Sequence, residues 1–158
     1  LVPYKRADLV IEAFRGLDRP LLVVGDGSQR EEFKKNLPPN VTLLGRVSNE
    51  DLPGLYQNAR ALLFPAEEDF GIVPVEAMAC GTPVLAYGRG GARDSVVEGT
   101  TGLFFDRQDV ASLRDAITRF EAMEDSFDAA AIHAHATRFG AERFRREFSA
   151  VVEKVLAD

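Results

Sequence analysis

Short apolar segments alternate with segments of helical periodicity from the start of the chain to about residue 123. The apolar segments are nearly uniform in hydrophobicity and lie at 20–24, 41–44, 61–64, 84–86 and 103–105. Strands that are apolar on both faces are typical of a parallel sheet covered by helices on both sides. The alternation therefore predicts an α/β fold built on a doubly wound parallel sheet.

The intervening helical segments carry start signals. Ser28, with Glu31 three residues later, predicts a capped helix over 28–36. Ser48 predicts the start of a helix that covers 50–58. Further helices are predicted at 7–17, about 72–81, and 109–123. We expect 124–158 to form a helical extension, whose last helix packs through four apolar residues: Phe144, Phe148, Val152 and Val155.

Size and charge restrict the class of protein. The 158 residues suffice for one domain with a sizeable core, and a net charge of −6 argues against a nucleic-acid-binding surface. The single cysteine, Cys80, excludes an internal disulfide and favours a reducing, cytoplasmic location. No apolar run is long enough to span a membrane. Because the chain opens at Leu1 without an initiator methionine, we interpret it as a piece of a longer protein.

One carboxylate in the segment 67–81 indicates a ligand. Glu76 alone interrupts the apolar part of this segment, and no Lys or Arg lies within a helical turn of it. A buried carboxylate without a partner is costly, so we expect Glu76 to have one. Two carboxylate oxygens can accept hydrogen bonds from two adjacent hydroxyls. The sequence therefore predicts that Glu76 binds a diol such as that of ribose.

The same segment contains a predicted helix start that is suited to an anion. Pro74 is tolerated only in a first turn, so the helix should begin near Ile72, and Gly81 should end it. The free N–H groups of this turn would follow Phe70 and Gly71 directly. Such a helix start binds a phosphate or diphosphate well.

Two carboxylates flank this predicted anion site. Glu76 lies one turn into the helix, about 6 Å along its axis at 1.5 Å per residue. Glu68 lies in the preceding loop. We expect one carboxylate to hold the ribose and the other the transferred sugar, with a diphosphate between them.

With these features in place, the chain resembles the C-terminal, donor-binding half of retaining family-four glycosyltransferases of GT-B fold, and mannosyltransferases in particular. The main motif is Glu-x7-Glu, formed here by Glu68 and Glu76. Other matching motifs follow in the same order and lie at 5–9, 24–27, 45–48, 61–65, 90–91 and 99–103. The resemblance implies a Rossmann-like domain over 1–158, with the N-terminal acceptor domain absent from this chain.

The resemblance also implies residue roles. Glu76 would bind the ribose, Glu68 would contact the transferred sugar, and Lys5 would neutralise the diphosphate. Lys5 and Glu68 are thus the implied catalytic residues. The implied donor-binding positions are Phe70, Gly71, Ile72 and Val73 at the helix start, Gly25 near the phosphates, and Arg46 with Val47 at the base.

The implied reaction is metal-independent transfer of a hexosyl group, with retention, from a nucleotide diphosphate sugar to an acceptor hydroxyl. No cofactor is implied, and the first candidate donor is GDP-mannose, with UDP-hexoses second. The acceptor would be a glycan or lipid-linked glycan in polysaccharide synthesis, bound through the absent domain. This chain alone would then bind donor without turnover. Any peripheral association with a membrane would depend on the full-length protein.

Two other classes of function remain open from the residues. A nucleotide-binding or sensing domain without transferase activity would show the same strand–helix pattern. A sugar-nucleotide epimerase or a phosphorylase could be built on the same scaffold. The acidic residues at 67–69 could also form no more than a solvated loop.

Overall fold

The computed structural model describes residues 1–157, in which five strands alternate with eight α-helices. The strands are β1 (Leu21–Val24), β2 (Val41–Gly45), β3 (Leu62–Phe64), β4 (Val84–Tyr87) and β5 (Gly102–Phe105). The helices are α1 (Ala7–Phe14), α2 (Arg30–Lys34), α3 (Leu52–Asn58), α4 (Ile72–Ala79), α5 (Ala92–Ser95), α6 (Val110–Met123), α7 (Ala129–Ala136) and α8 (Ala141–Ala157). Short 3₁₀ turns cover Pro3–Lys5, Glu124–Ser126 and Thr137–Phe139. The predicted α/β class is confirmed.

The strands form two parallel sheets where the sequence predicted one. β1 pairs with β2, and β4 lies between β3 and β5. Within residues 1–157, β1 and β3 are not hydrogen bonded to each other. A cavity of about 820 Å³ separates them.

Helices cover both faces of β4. Leu85 packs into a cluster formed mainly by α1 and α6. Val84 and Ala86 pack into a second cluster, which α4, α5 and α7 complete. Successive strand residues point to opposite faces, so a wholly apolar strand is buried on both sides here. This is the arrangement that the apolar strand sequences predicted.

Two predicted helix starts are displaced toward the C-terminus. α2 begins at Arg30 without a side-chain cap, because the Arg30 N–H donates to the Gly27 carbonyl in a turn that replaces the predicted Ser28 cap. α3 begins at Leu52. The Ser48 hydroxyl accepts from the Asp51 N–H at 3.1 Å and donates to the Asp51 carboxylate at 2.7 Å. Ser48 therefore stabilises the turn before the helix.

The last helix forms as predicted, but its predicted packing is wrong. α8 is amphipathic, yet its four apolar residues Phe144, Phe148, Val152 and Val155 are between 39% and 68% exposed. Among residues 1–157 the helix packs mainly against the preceding turn, Thr137–Phe139, and none of its apolar residues belongs to either hydrophobic cluster. Among residues 1–157, no helix combines the length and the apolarity that a membrane span requires.

Candidate ligand-binding site

The turns after four of the strands lie along one rim. The Gly25 N–H donates to the Gly45 carbonyl at 2.7 Å, which ties the end of β1 to the end of β2. The Gly91 N–H donates to the Glu68 carbonyl at 2.8 Å, which ties the turn after β4 to the loop after β3. The Leu1 amino group donates to the Asp26 carbonyl. The first residues of the chain therefore lie on this rim as well.

Lys5 and Glu68 form an ion pair that links the turn before α1 to the loop after β3. The Lys5 ammonium donates to Oε1 of Glu68, and the side chains are 37% and 18% exposed. Lys5 ends a 3₁₀ turn, and the next residue, Arg6, has a φ of 53°, a left-handed conformation that is unfavourable for a residue with a Cβ. The Arg6 guanidinium pairs with Asp8, which holds the turn in place. The two predicted catalytic residues are thus brought into contact.

The start of α4 is an uncapped helix N-terminus. Gly71 is the N-cap residue with a φ of 72°, and its backbone has no side-chain capping partner. The positive φ favours glycine, and a Cβ at Gly71 would be in tight contact with the ring of Phe64, at 3.1 Å. The N–H groups of Ile72 and Val73 belong to the first turn, and the Ile72 side chain is largely exposed. The predicted helix start is therefore present, and its first-turn N–H groups have no side-chain cap.

Glu76 is exposed, so the predicted burial of its carboxylate is wrong. α4 buries Pro74, Ala77 and Met78 on its inner face, and Glu76 lies on the other side of the helix. An apolar sequence around a residue does not bury it when the helix is covered on one face only. The carboxylate is therefore accessible to a ligand from solvent.

Glu76 has one protein partner within residues 1–157, which the sequence did not predict. The Tyr56 hydroxyl, from α3, donates to Oε2 of Glu76 at 3.3 Å. Burial has the largest effect on the pKa of Tyr56, and the adjacent charge of Glu76 has the next largest; both raise this pKa far above its usual value. The phenol therefore stays protonated and remains a hydrogen-bond donor. Oε1 of Glu76 remains free to accept from a ligand. No sequence signal links these two residues, which are twenty positions apart.

Several predicted site residues surround the mouth of the cavity between the sheets. Four of them line the cavity: Lys5, Gly25, Val73 and Glu76. Glu68 is paired with Lys5. Phe70 is half exposed and meets Phe139 edge to face, with ring centroids 6.0 Å apart. In the described part of the chain, Arg46 and Val47 do not line the cavity, because they follow β2, the strand farther from it.

Gly91 controls the position of the Glu68 loop. A Cβ at Gly91 would collide with the Asp69 carbonyl and would lie 2.5 Å from Cα of Phe70. Its φ of −64° suits any residue, so only space requires glycine. We expect Gly91→Ala to lower the free energy of unfolding by about 1–3 kcal/mol, as overpacking does. Urea unfolding measures this loss.

The matched control is Gly54→Ala, within α3. No atom lies within 4 Å of a Cβ at Gly54, and alanine favours a helix interior by about 0.5–1 kcal/mol. This variant should be as stable as the wild type or more so. Equal stability of Gly91→Ala and the wild type would mean that the loop adapts freely.

The chain is similar to a described family and to curated proteins. Residues 1–137 match the family described as glycosyl transferases group 1. The D-inositol 3-phosphate glycosyltransferase of Mycolicibacterium smegmatis is 37% identical over 149 residues, which are 87% of this chain and 34% of that protein. A GDP-mannose-dependent monoacylated alpha-(1-6)-phosphatidylinositol monomannoside mannosyltransferase of Corynebacterium glutamicum is 33% identical over 150 residues, 85% of this chain and 39% of that protein.

A solved structure has the same fold. HepE of Anabaena, in complex with UDP-glucose, superposes with a TM-score of 0.82 at 26% identity. The superposition covers 98% of this chain and 46% of HepE. The chain thus spans about a third of the length of the two curated relatives and just under half of HepE.

Proposed function

The chain belongs to the glycosyl transferases group 1 family, and on this basis we propose that it binds a nucleotide diphosphate sugar for retaining transfer of a hexosyl group to an acceptor hydroxyl. Its Rossmann-like α/β fold is that of GT-B glycosyltransferases. The observation that carries the proposal is the convergence of Lys5, Glu68 and the start of α4 at one rim. The family match favours this function over a sensing domain, an epimerase or a phosphorylase.

The diphosphate would lie between Lys5 and the first turn of α4. The N–H groups of Ile72 and Val73 are donors without a side-chain cap. Lys5 supplies the cation, which a diphosphate would attract away from Glu68. When the bond between the sugar and the diphosphate breaks, negative charge grows on the leaving oxygen. Donors fixed at that position stabilise this charge and lower the barrier.

The two glutamates would hold the parts of the donor on either side of the diphosphate. Oε1 of Glu76 would accept from the ribose hydroxyls, while Tyr56 fixes the other carboxylate oxygen. Glu68, released from Lys5, would accept from hydroxyls of the transferred sugar. Gly25 would approach the phosphates, and Arg46 with Val47 would lie on the side of the base.

The relatives suggest two donors. The name of one relative specifies GDP-mannose, and the structure of HepE contains UDP-glucose. GDP-mannose therefore stays the first candidate for the donor, and a UDP-hexose stays the second. We propose that this chain is the C-terminal donor half and binds donor without turnover. A glycan or lipid-linked acceptor would be bound by another domain of the enzyme. The enzyme would be cytoplasmic and would need neither a metal nor a cofactor. It would be peripheral to the membrane if its acceptor is a lipid.

Calorimetric titration of the chain with GDP, UDP, GDP-mannose and UDP-glucose tests the proposal. We expect saturable binding of one nucleotide series, with the sugar nucleotide and its free nucleotide sharing a site by competition. The preferred series identifies the base. Failure of all four ligands to bind, in a chain that unfolds cooperatively in urea, would contradict the proposed donor site.

A further inference from the structure

The Glu68 loop, residues 65–71, is contacted by a segment that lies far from it in the chain. The loop joins β3 to the start of α4 and includes Phe70. The Phe70 backbone lies close to the turn after β4, because a Cβ at Gly91 would be 2.5 Å from the Phe70 Cα. The Phe70 ring is half exposed and meets the ring of Phe139 edge to face. Phe139 belongs to the 3₁₀ turn after α7.

α7 and this turn run along α4 in the opposite direction. Near the start of α7, a Cβ at Gly81, just after α4, would lie 3.1 Å from the Cβ of Ala129. At the other end, the turn that carries Phe139 meets the loop just before α4. Ile132 and Ala136, one helical turn apart on one face of α7, are buried in the cluster that α4 shares. The packing of α7 on α4 therefore brings Phe139 to the loop.

Two histidines fix α7 to the ends of α4 and α5. His133 donates from Nδ1 to the Ala79 carbonyl at 2.6 Å, and His135 donates from Nε2 to the Ser95 carbonyl at 2.8 Å. Ala79 and Ser95 are the last residues of α4 and α5. The last carbonyls of a helix have no partner within the helix, so these side chains supply one. The position of α7 is thus tied to both helices.

His135 also contacts the ring of Phe139. The two rings meet edge to face, with centroids 6.0 Å apart and planes at 63°. Phe139 is partly buried and lies between His135 and Phe70. Edge-to-face aromatic pairs are favourable beyond the area that they bury. A continuous series of contacts therefore runs from the Ser95 carbonyl through His135 and Phe139 to Phe70.

We propose that Phe139 is a positioning residue for the donor. Through the ring of Phe70, it holds the Glu68 loop in the conformation that presents Glu68 and the start of α4 to the ligand. The inference rests on the proposed function for the identity of that ligand. Without Phe139 the loop would sample more conformations, and a ligand would have to order it on binding. That ordering has a cost in free energy, so affinity would fall.

Backbone relaxation measured by NMR on the ligand-free chain tests the effect on the loop. In Phe139→Ala, we expect the order parameters of the Phe70 and Gly71 amides to fall from about 0.85 to below about 0.6. Those of β4 should not change. The matched control is Phe144→Ala, which removes the same atoms from an exposed ring that stacks on Phe148 instead. A loop that stays as rigid in Phe139→Ala as in the control would overturn the inference.

Calorimetric titration with GDP-mannose and UDP-glucose tests the effect on the donor. We expect Phe139→Ala to weaken binding of the preferred donor by about 3–10-fold, while Phe144→Ala binds like the wild type. If Phe139 acts through Phe70, the double variant Phe70→Ala/Phe139→Ala should bind no more weakly than Phe70→Ala alone. Two losses that add would overturn the inference, because they would indicate a separate structural effect of Phe139.

The two measurements separate this inference from the proposed function. Failure of the wild type to bind either donor would contradict the proposed function, and the relaxation result alone would then decide whether Phe139 positions the loop. If Phe139→Ala does not fold, Phe139→Leu replaces it, because leucine keeps most of the apolar volume but lacks the ring. The loop should be more mobile in this variant too, and wild-type order parameters at Phe70 and Gly71 would overturn the inference.

Discussion

Glu76→Gln is expected to weaken binding of the preferred nucleotide diphosphate sugar by about 10–100-fold. A hydrogen bond to a charged group contributes about 1.5–3 kcal/mol, and about 1.4 kcal/mol corresponds to a factor of ten in affinity. Glutamine keeps the size of the side chain but removes the charge and replaces one acceptor oxygen with a donor. Calorimetric titration of the variant, with the donor that the wild type prefers, measures the loss.

Glu67→Gln is the matched control for Glu76→Gln. Glu67 is exposed in the acidic loop next to Glu68, and the same atoms change in both variants. Its affinity should stay within about twofold of the wild type, because an exposed charge interacts weakly through water. Because Glu76 is also exposed, neither variant should change stability by more than about 0.5 kcal/mol. Similar losses of affinity in both would indicate a general effect of charge rather than a diol contact.

Phe105→Ala is expected to lower the free energy of unfolding by about 3–5 kcal/mol, the usual cost of removing a buried phenylalanine ring. Phe105 is 1% exposed in β5, and its ring lies 5.8 Å from that of Tyr87 between centroids. It belongs to the cluster beneath α1 and α6. Urea unfolding, followed by circular dichroism, gives the change in free energy.

Phe148→Ala makes the same chemical change on α8. Phe148 is 58% exposed and stacks on Phe144, with ring centroids 5.6 Å apart. The loss should stay below about 1 kcal/mol, because only one exposed aromatic contact is removed. A loss as large as that of Phe105→Ala would mean that α8 packs against the core, as its apolar periodicity predicts.

Sequence patterns located the helices and strands because the interactions behind these patterns join residues that are close together in the chain. The start of α4 at Ile72 was predicted from Pro74, whose ring is compatible with a first helical turn only. Asp109 was likewise a correct helix start, and its carboxylate accepts from the Ser112 N–H at 2.7 Å. The predicted cap at Ser28 failed because a backbone turn satisfied the same groups.

Burial was predicted less well, since it depends on which neighbours a face meets. Glu76 and the apolar residues of α8 were both expected to be buried, one from an apolar context and the others from helical periodicity. A periodic pattern identifies an apolar face but does not supply the element that covers it.

The sequence by itself determined the α/β class and the order of the elements, because backbone conformation depends mainly on residues close together in the chain. It also singled out Glu68 and Glu76 as residues of the candidate site. Only the tertiary structure decided that Lys5 meets Glu68 and that Tyr56 meets Glu76, contacts that span 63 and 20 positions. It also decided that the strands form two sheets separated by a cavity. Such long-range pairings arise from how whole elements pack, and no local pattern encodes them.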